Sequence, residues 1–445
     1  MAEPTPHLQT PAPAGGLGNS NDSVRRHNLS VLLRLVHRTT GISRSQLTRQ
    51  TGLNRSTIAA LVGELAEREL VIEVDPDSRN QVGRPSPIVR PGPRALGIAI
   101  NPEIDAITVG IVGLGGVVHR RIRSVIDHVP TAAEAVAISA ALIDDLRDEF
   151  DLGHRAVGIG VAVPGLVRSH DGLVRLAPHL GWIDEPLAEM LEEATGFSVV
   201  AANDARLGTL AESIFGAGRD LTDVVYLNGG ASGIGGGAIV NGAPLRGISG
   251  YAGEFGHTLV RSGGIVCHCG AIGCLETEVR RASLLSVVGL ADADADDLES
   301  ALLAAATTAA QASDTTDVDS VSATTDPATT TGPASTTAGP TTTTNPATTT
   351  DPAVVAEVER QLDTLAITLR NAINTLNPQL IVLGGFLGAL YAVAPDRLDR
   401  NVAAQSLPSA RDSVRIARAE LGTNLLMIGA AELAFESLLA DPSSV

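Results

Sequence analysis

The apolar positions of this chain follow one period near the start and another afterwards. From Asn28 to about Glu69 the spacing is helical. Leu29, Leu32, Leu35 and Val36 share one face of a first helix, and Ile58, Leu61, Val62 and Leu65 fall at i, i+3, i+4 and i+7 of a third. Between them Ser43 and Gln46 make a capping box that opens a short helix, Gly52 ends it, and Asn54 supplies the next N-cap. The stretch VIEVDPDSRNQVGRPSPIVRP then predicts two short strands around a turn, a wing beside the three helices. From Leu96 onward, β-rich runs (LGIAI, AITVGIVG, AVGIGVAVPG, DVVYLNGG, GAIVNG, LIVLGG) alternate with Ala/Leu/Glu-rich helical stretches such as TAAEAVAISAALIDDLRDEF, which predicts an α/β body. Two stretches carry no usable period. Residues 1–22 are Pro, Gly and small polar residues, and 292–353 is dominated by Thr, Ala, Pro and Asp without an aromatic or basic residue. Both are expected to be disordered, because neither can bury enough apolar surface to offset its ordering entropy.

The division is therefore a tail (1–22), a small helical head with a wing (23–94) and a larger α/β body (95–440) interrupted by the 292–353 insertion. With 445 residues and 44% hydrophobic content the chain has ample material for several cores. Its start lacks the basic segment and apolar run of a signal peptide, and no uninterrupted apolar run reaches the roughly 18 residues of a membrane span, so a cytoplasmic protein with no membrane partner is expected. Three cysteines exclude a disulfide framework, and all fall between Cys267 and Cys274.

Net charge alters the picture. The total of −18 would argue against nucleic acid, yet residues 23–94 hold 12 Arg against 6 acidic side chains, +6, which leaves −24 for the rest. No lysine occurs, so every permanent side-chain cation is an arginine able to fork onto phosphate or guanine. The head thus resembles a winged helix-turn-helix. Arg55, Ser56 and Thr57 open its third helix beside small Ala59 and Ala60, suited to a major groove; Arg44 stands at the start of the second helix, and Arg79 and Arg84 lie near the wing tip. Double-stranded operator DNA is the expected partner. Two such heads must reach half-sites about 34 Å or a multiple apart, so a homodimer or tetramer is expected.

In the body, GEFGHTLVRSGGIVCHCGAIGCLE holds His257, Cys267, Cys269 and Cys274. Three thiolates and one imidazole meet the four-coordinate demand of structural Zn²⁺ and leave no open position; His268 is the alternative fourth ligand. The string GYAGEFGHTLV followed by CHCGAIGCLE, supported in order by GVAVPGLV, LGW, Asn203-Asp204, SGIGGGAIVNG and LNPQLIVLGG, resembles the ROK family (repressor, open reading frame, kinase).

That resemblance implies an α/β fold in which the winged helix-turn-helix is joined to a two-lobed, actin-like or ribonuclease-H-like body of sugar-kinase type. It also implies sugar contacts at Asn203, Asp204, Glu254, His257 and Glu276, with His257 shared between sugar and zinc. Kinases of the family resemble D-x-G-G-T after the first strand, where this chain has Ala99, Asn101, Pro102 and Glu103. Alanine offers no metal oxygen, proline no N–H, and glutamate repels phosphate. Asp204, the family's catalytic base, and a glycine loop from Gly233 to Gly237, read as a tight turn, cannot by themselves cradle phosphate and metal. The expectation is a sugar- or phosphosugar-responsive repressor without kinase activity. An ATP-dependent sugar kinase with a DNA-binding head, and a regulator controlled by a protein partner, remain as alternatives.

Overall fold

The computed structural model describes residues 21–75, 86–147, 153–313 and 351–444. The head is built from α1 (Asn21–Thr39), β1 (Ile42–Ser43), α2 (Arg44–Thr51), α3 (Arg55–Glu67), β2 (Val71–Val74) and β3 (Ile88–Pro91). Its starts and stops are local chemistry. Ser43 Oγ accepts the Gln46 amide while Gln46 Oε1 accepts the Ser43 amide, Gly52 closes α2 at φ +72°, and Asn54 Oδ1 accepts the Thr57 amide at 2.8 Å. The wing strands pair antiparallel, with β3 between β1 and β2. The expected faces are buried, except that Leu33 and His37 join the core side of α1 while Leu35 is only partly covered.

The first lobe contains β4 (Ala95–Pro102), β5 (Ala106–Gly113), β6 (Val117–Val125), α4 (Ala132–Asp145), β7 (Arg155–Val163), a small antiparallel sheet of β8 (Leu166–Val167), β9 (Val174–Ala177) and β10 (Trp182–Glu185), then α5 (Leu187–Thr195), β11 (Val199–Asn203) and α6 (Asp204–Phe215). Every position of β4 and β5 is buried, as central strands covered on both faces require. The second lobe contains β12 (Val224–Gly229), β13 (Ile234–Val240), β14 (Ala243–Pro244), α7 (Ala295–Ser313), α8 (Pro352–Leu376), β15 (Leu380–Gly385) and β16 (Arg415–Arg418), and the chain returns through α9 (Leu425–Ala440). The five-stranded sheets, β11-β7-β4-β5-β6 and β16-β15-β12-β13-β14, repeat one order: a meander of three antiparallel strands extended by two parallel ones.

Helix α9 is apolar on nearly every side because it is a core helix. It packs on β7, on β4 and on α6, and Gly160 allows the close approach: a Cβ there would stand 1.7 Å from the Ala430 carbonyl oxygen. The segment Gly422–Ala440, long and apolar enough by composition to cross a membrane, is mostly buried in this way. One hydrophobic cluster runs from Leu29, Leu32 and Val36 of the head to Ala431, Phe435 and Leu438 of α9, so head and body share a core.

The insertion boundary needs correction. Residues 295–313 form α7 instead of disordered chain, with Asp294 Oδ1 accepting the Asp296 and Asp297 amides as an N-cap and Leu298 and Leu302 fully buried in the second-lobe core. An N-cap followed by leucines at i, i+4 is sufficient to build a helix within the acidic, small-residue composition. At its other end the tract gives way to α8 at Pro352, while residues 314–350 lie outside the described residues. So do residues 1–20 of the tail, whose last two positions begin α1.

Candidate functional site

The cysteine cluster lies on a loop that is folded back by glycines. Gly270 and Gly273 adopt φ +90° and +78°, and a Cβ at Gly273 would stand 1.8 Å from the Arg261 carbonyl oxygen. Two isolated bridges, Leu259 with Cys274 and Val266 with Ile272, close the loop, which leaves Leu259 and Val266 60% and 70% exposed and so has little core of its own. The ligand atoms of His257, Cys267, Cys269 and Cys274 all lie within 4.8 Å of one another. Cys269 Sγ is 3.8 Å from Cys274 Sγ, and Cys267 Sγ is 3.6 Å from His257 Nδ1. A tetrahedron with metal–sulfur bonds near 2.3 Å and metal–nitrogen bonds near 2.0 Å has edges of about 3.8 and 3.5 Å, so the donor set fits a four-coordinate cation. Burial pushes the Cys267 and Cys274 thiols up, whereas backbone hydrogen bonding at Ala271 holds Cys269 down. His268 Nδ1 is instead 3.0 Å from Glu276 Oε1 and 4.0 Å from Cys267 Sγ; it belongs to a second grouping with His257, Cys267 and Glu276.

Next to the cluster, a cleft of about 340 Å³ opens between the lobes. Asn203, Asp204, Glu254, His257 and Glu276 all line it. Asn203 and Asp204 are set by the start of α6: Asn203 Oδ1 accepts the Arg206 amide at 2.9 Å, its Nδ2 donates to the Gly165 carbonyl at 3.1 Å, and Asp204 Oδ1 accepts the Ala205 amide at 2.7 Å. Glu254 and His257 come from a one-turn 3₁₀ segment held against β13, where a Cβ at Gly256 would stand 1.8 Å from the Ile234 carbonyl oxygen. Glu276 follows Cys274 directly in a short helix, Leu275–Glu278. Burial raises Asp204 to about 6; burial, then Asp204 and Glu276, raise Glu254 to about 7. Carboxylates, an amide and imidazoles converging on one cleft can accept and donate to several hydroxyls of a small polyol. Sequence reasoning missed His179 and Asn228, which also line the cleft; His179 stacks edge-on against His268 at 5.0 Å, and burial lowers it. The only signal was the position of His179 beside the LGW string.

Where the kinases of the resemblance hold phosphate, Ala99 is a buried core residue, Pro102 ends β4, and Glu103 Oε2 accepts Thr108 Oγ1 and Arg123 Nε at 3.4 Å each. The glycine loop is corrected. Gly233 sits at the turn, where the Gly230 amide reaches its carbonyl at 2.9 Å, but Gly235 and Gly237 lie within β13. There a Cβ would meet Ala205 at 2.6 Å and Thr209 at 2.4 Å, so these glycines serve the packing of β13 on α6.

On the head, Arg55 and Ser56 are exposed at the first turn of α3, Ser56 Oγ donates to Asn54 Oδ1 at 2.7 Å, and Arg55 makes no ion pair among the described residues. The Arg44 guanidinium, half-exposed at the start of α2, forks onto Glu73 at 2.5 and 2.6 Å and ties α2 to β2. Arg79 and Arg84 lie outside the described residues.

The profile of the ROK family matches residues 105–437. The xylose repressor of Bacillus spizizenii is 29% identical over 268 residues, 59% of this chain and 68% of that protein. The DNA-binding transcriptional dual regulator NagC of Escherichia coli is 30% identical over 280 residues, 62% of this chain and 67% of its own length. A crystallised ROK family transcriptional regulator, homologous to the E. coli MLC protein, superposes with a TM-score of 0.68 at 23% identity over 94% of this chain and 97% of its own, which shows a shared fold of two actin-like lobes and a head. A match over well above half of its length establishes that this chain belongs to the ROK family.

Proposed function

We propose that this chain is a cytoplasmic, sugar-responsive DNA-binding transcriptional regulator that acts as a repressor, as a homodimer or tetramer, without transferring phosphoryl groups. The observation that carries the reading is the joining, through one hydrophobic core, of a helix-turn-helix head to a polar cleft that brings Asn203, Asp204, Glu254, His257 and Glu276 together. The names of the relatives, a xylose repressor and NagC, support sugar control and DNA binding. Lack of kinase activity is supported by Ala99, Pro102 and Glu103 standing where metal and phosphate would be held.

Asn203, Asp204, Glu254 and Glu276 bind sugar hydroxyls, and His257 Nε2 completes the set, its Nδ1 facing Cys267. His257, Cys267, Cys269 and Cys274 would hold Zn²⁺, which when bound supplies a cross-link for a loop that lacks a core. The loop carries both His257 and Glu276 into the cleft, so its order sets the geometry of the sugar site. Arg55, Ser56 and Thr57 read the major groove, Arg44 adds a DNA contact at the start of α2, and Arg79 and Arg84 reach the phosphate backbone or the minor groove.

Fluorescence anisotropy tests the reading with a duplex that the purified protein selects from a random-sequence library. Binding at low salt that changes on addition of one member of a panel of sugars and phosphosugars is expected. No duplex binding at low ionic strength, or binding indifferent to every sugar, would overturn it.

A further inference from the structure

His37, on the first helix of the head, uses both ring nitrogens where head meets body. Nδ1 accepts the Gly115 amide at 2.9 Å, and Nε2 lies 3.0 and 3.2 Å from the two carboxylate oxygens of Glu432, so the ring proton sits on Nε2 and is donated to Glu432. The side chains of His37 and Glu432 are only 1% and 5% exposed. The ring also meets Phe215 and Phe435 edge-on, with centroids 5.2 and 5.8 Å away. One head residue thereby touches the β5–β6 turn, the end of α6, and α9.

Phe215 is the last residue of α6, whose first residue, Asp204, lines the sugar cleft. Twelve helical residues span about 18 Å, so one rigid rod has one end in the cleft and the other against His37. The rod is clamped at two points. Gly429 of α9 sits so near α6 that a Cβ would stand 2.4 Å from the Leu207 carbonyl oxygen, and Glu212 accepts the Ala217, Glu420 and Leu421 amides at 2.9, 2.9 and 3.0 Å. A displacement of the cleft end therefore reaches Phe215 instead of being absorbed.

The contact at the far end borders open space. A cavity of about 400 Å³, lined by His37 and Glu432 together with Arg34, Arg38 and Arg206, opens beside the pair. If the ring withdraws, water can enter and take over its hydrogen bonds, whereas a half-broken pair would leave buried polar groups unpartnered. Meanwhile Ser30 Oγ donates to the Leu439 carbonyl at 2.6 Å and Arg68 Nη1 to the Ser443 carbonyl at 3.2 Å, which keeps the head attached at the end of α9 as a pivot.

We infer that His37 is a positioning residue through which the sugar cleft acts on the DNA-reading head: occupancy moves α6, and the Phe215–His37–Glu432 contact converts that movement into a change of head orientation. This inference rests on the regulator reading above. The test uses the full-length protein, the library-selected duplex, and whichever of D-xylose, D-glucose, N-acetylglucosamine or a hexose 6-phosphate gives calorimetric binding. The readout is the ratio of duplex affinities without and with that sugar.

The double variant His37→Leu/Glu432→Leu removes both members of the polar pair at once and leaves only the Gly115 amide without its acceptor. Glu432→Gln keeps an acceptor for Nε2–H. Wild type is expected to show a ratio of about tenfold or more, with the double variant within about twofold of unity and its sugar Kd within about threefold of wild type. Glu432→Gln is expected to retain most of the ratio. A double variant that keeps the wild-type ratio overturns the inference. If its thermal melt shows that it has not folded, Phe215→Leu replaces it, and an unchanged ratio there overturns the inference equally. A wild-type protein that binds the duplex but ignores every sugar that occupies the cleft overturns the regulator reading itself, and the inference with it.

Discussion

Acidification is expected to release sugar from the cleft. Burial raises Asp204 to about 6, and burial with neighbouring Asp204 and Glu276 raises Glu254 to about 7. Sugar hydroxyls donate to carboxylate oxygens, so the ionised forms bind, and a proton held by the free protein must leave on binding. The penalty per group is 1 + 10^(pKa − pH). At about pH 5 that amounts to about tenfold for Asp204 and about a hundredfold for Glu254, or about a thousandfold when both must be ionised. Affinity therefore rises with pH through about 6 and 7 and levels off near 8.

The effect on folding has the opposite sign. A carboxyl raised in the folded state binds its proton more tightly there than in the unfolded chain, so stability from these two groups is greatest below their unfolded values and declines as pH rises through the folded ones. Acid thus weakens sugar binding without unfolding the apoprotein through Asp204 or Glu254. The assay is calorimetric titration across this pH range in two buffers of different ionisation enthalpy, with zinc content checked at each pH because protonated thiols release metal. Glu254→Gln should remove the upper inflection and leave one near 6. Equal Kd values at about pH 5.5 and 8, with no proton release, would refute the reasoning.

Cys269→Ser should lower zinc stoichiometry and Tm together, since the loop exposes Leu259 and Val266 instead of burying them; unchanged metal content rejects the ligand set. Arg55→Ala should weaken the selected duplex by about tenfold, measured by anisotropy at fixed salt, and a normal affinity would mean that α3 is not the reading helix. Incubation with Mg-ATP and each sugar should yield no ADP above background, and brisk turnover would contradict the reading of the Ala99 to Glu103 stretch. Leu298→Asp buries an unpaired charge in the second-lobe core and should cost about 3 kcal/mol or more by denaturant melt; no loss would mean that α7 does not pack there.

The elements written in local chemistry were legible beforehand. Ser43 with Gln46, Asn54, Gly52 and the Ile58, Leu61, Val62, Leu65 stripe specify the head within a few residues of sequence separation. The Cys267, Cys269 and Cys274 spacing likewise converges locally, and His257 joins it from only ten residues before Cys267. What was not legible depends on long-range partners. The pairing of Arg44 with Glu73, 29 residues on, is set by the fold of β2 beside α2. His37 looks like a polar residue beside an apolar stripe, and its buried role requires Glu432, 395 residues away. Gly235 and Gly237 resemble a turn because composition cannot distinguish a glycine that bends the chain from one that makes room for a neighbouring helix. Composition also outweighed pattern at 295–313, where the Asp294 cap and the Leu298–Leu302 pair were present but diluted by alanine and threonine.

The central claim, that one molecule senses sugar and reads DNA with the two coupled, is tested most directly by reciprocity. Sugar Kd is measured by calorimetry on the free protein and again with the selected duplex saturating the head. The account predicts that the two values differ by the same factor, about tenfold or more, by which sugar changes duplex affinity. Identical sugar affinities in the presence and absence of DNA would contradict it.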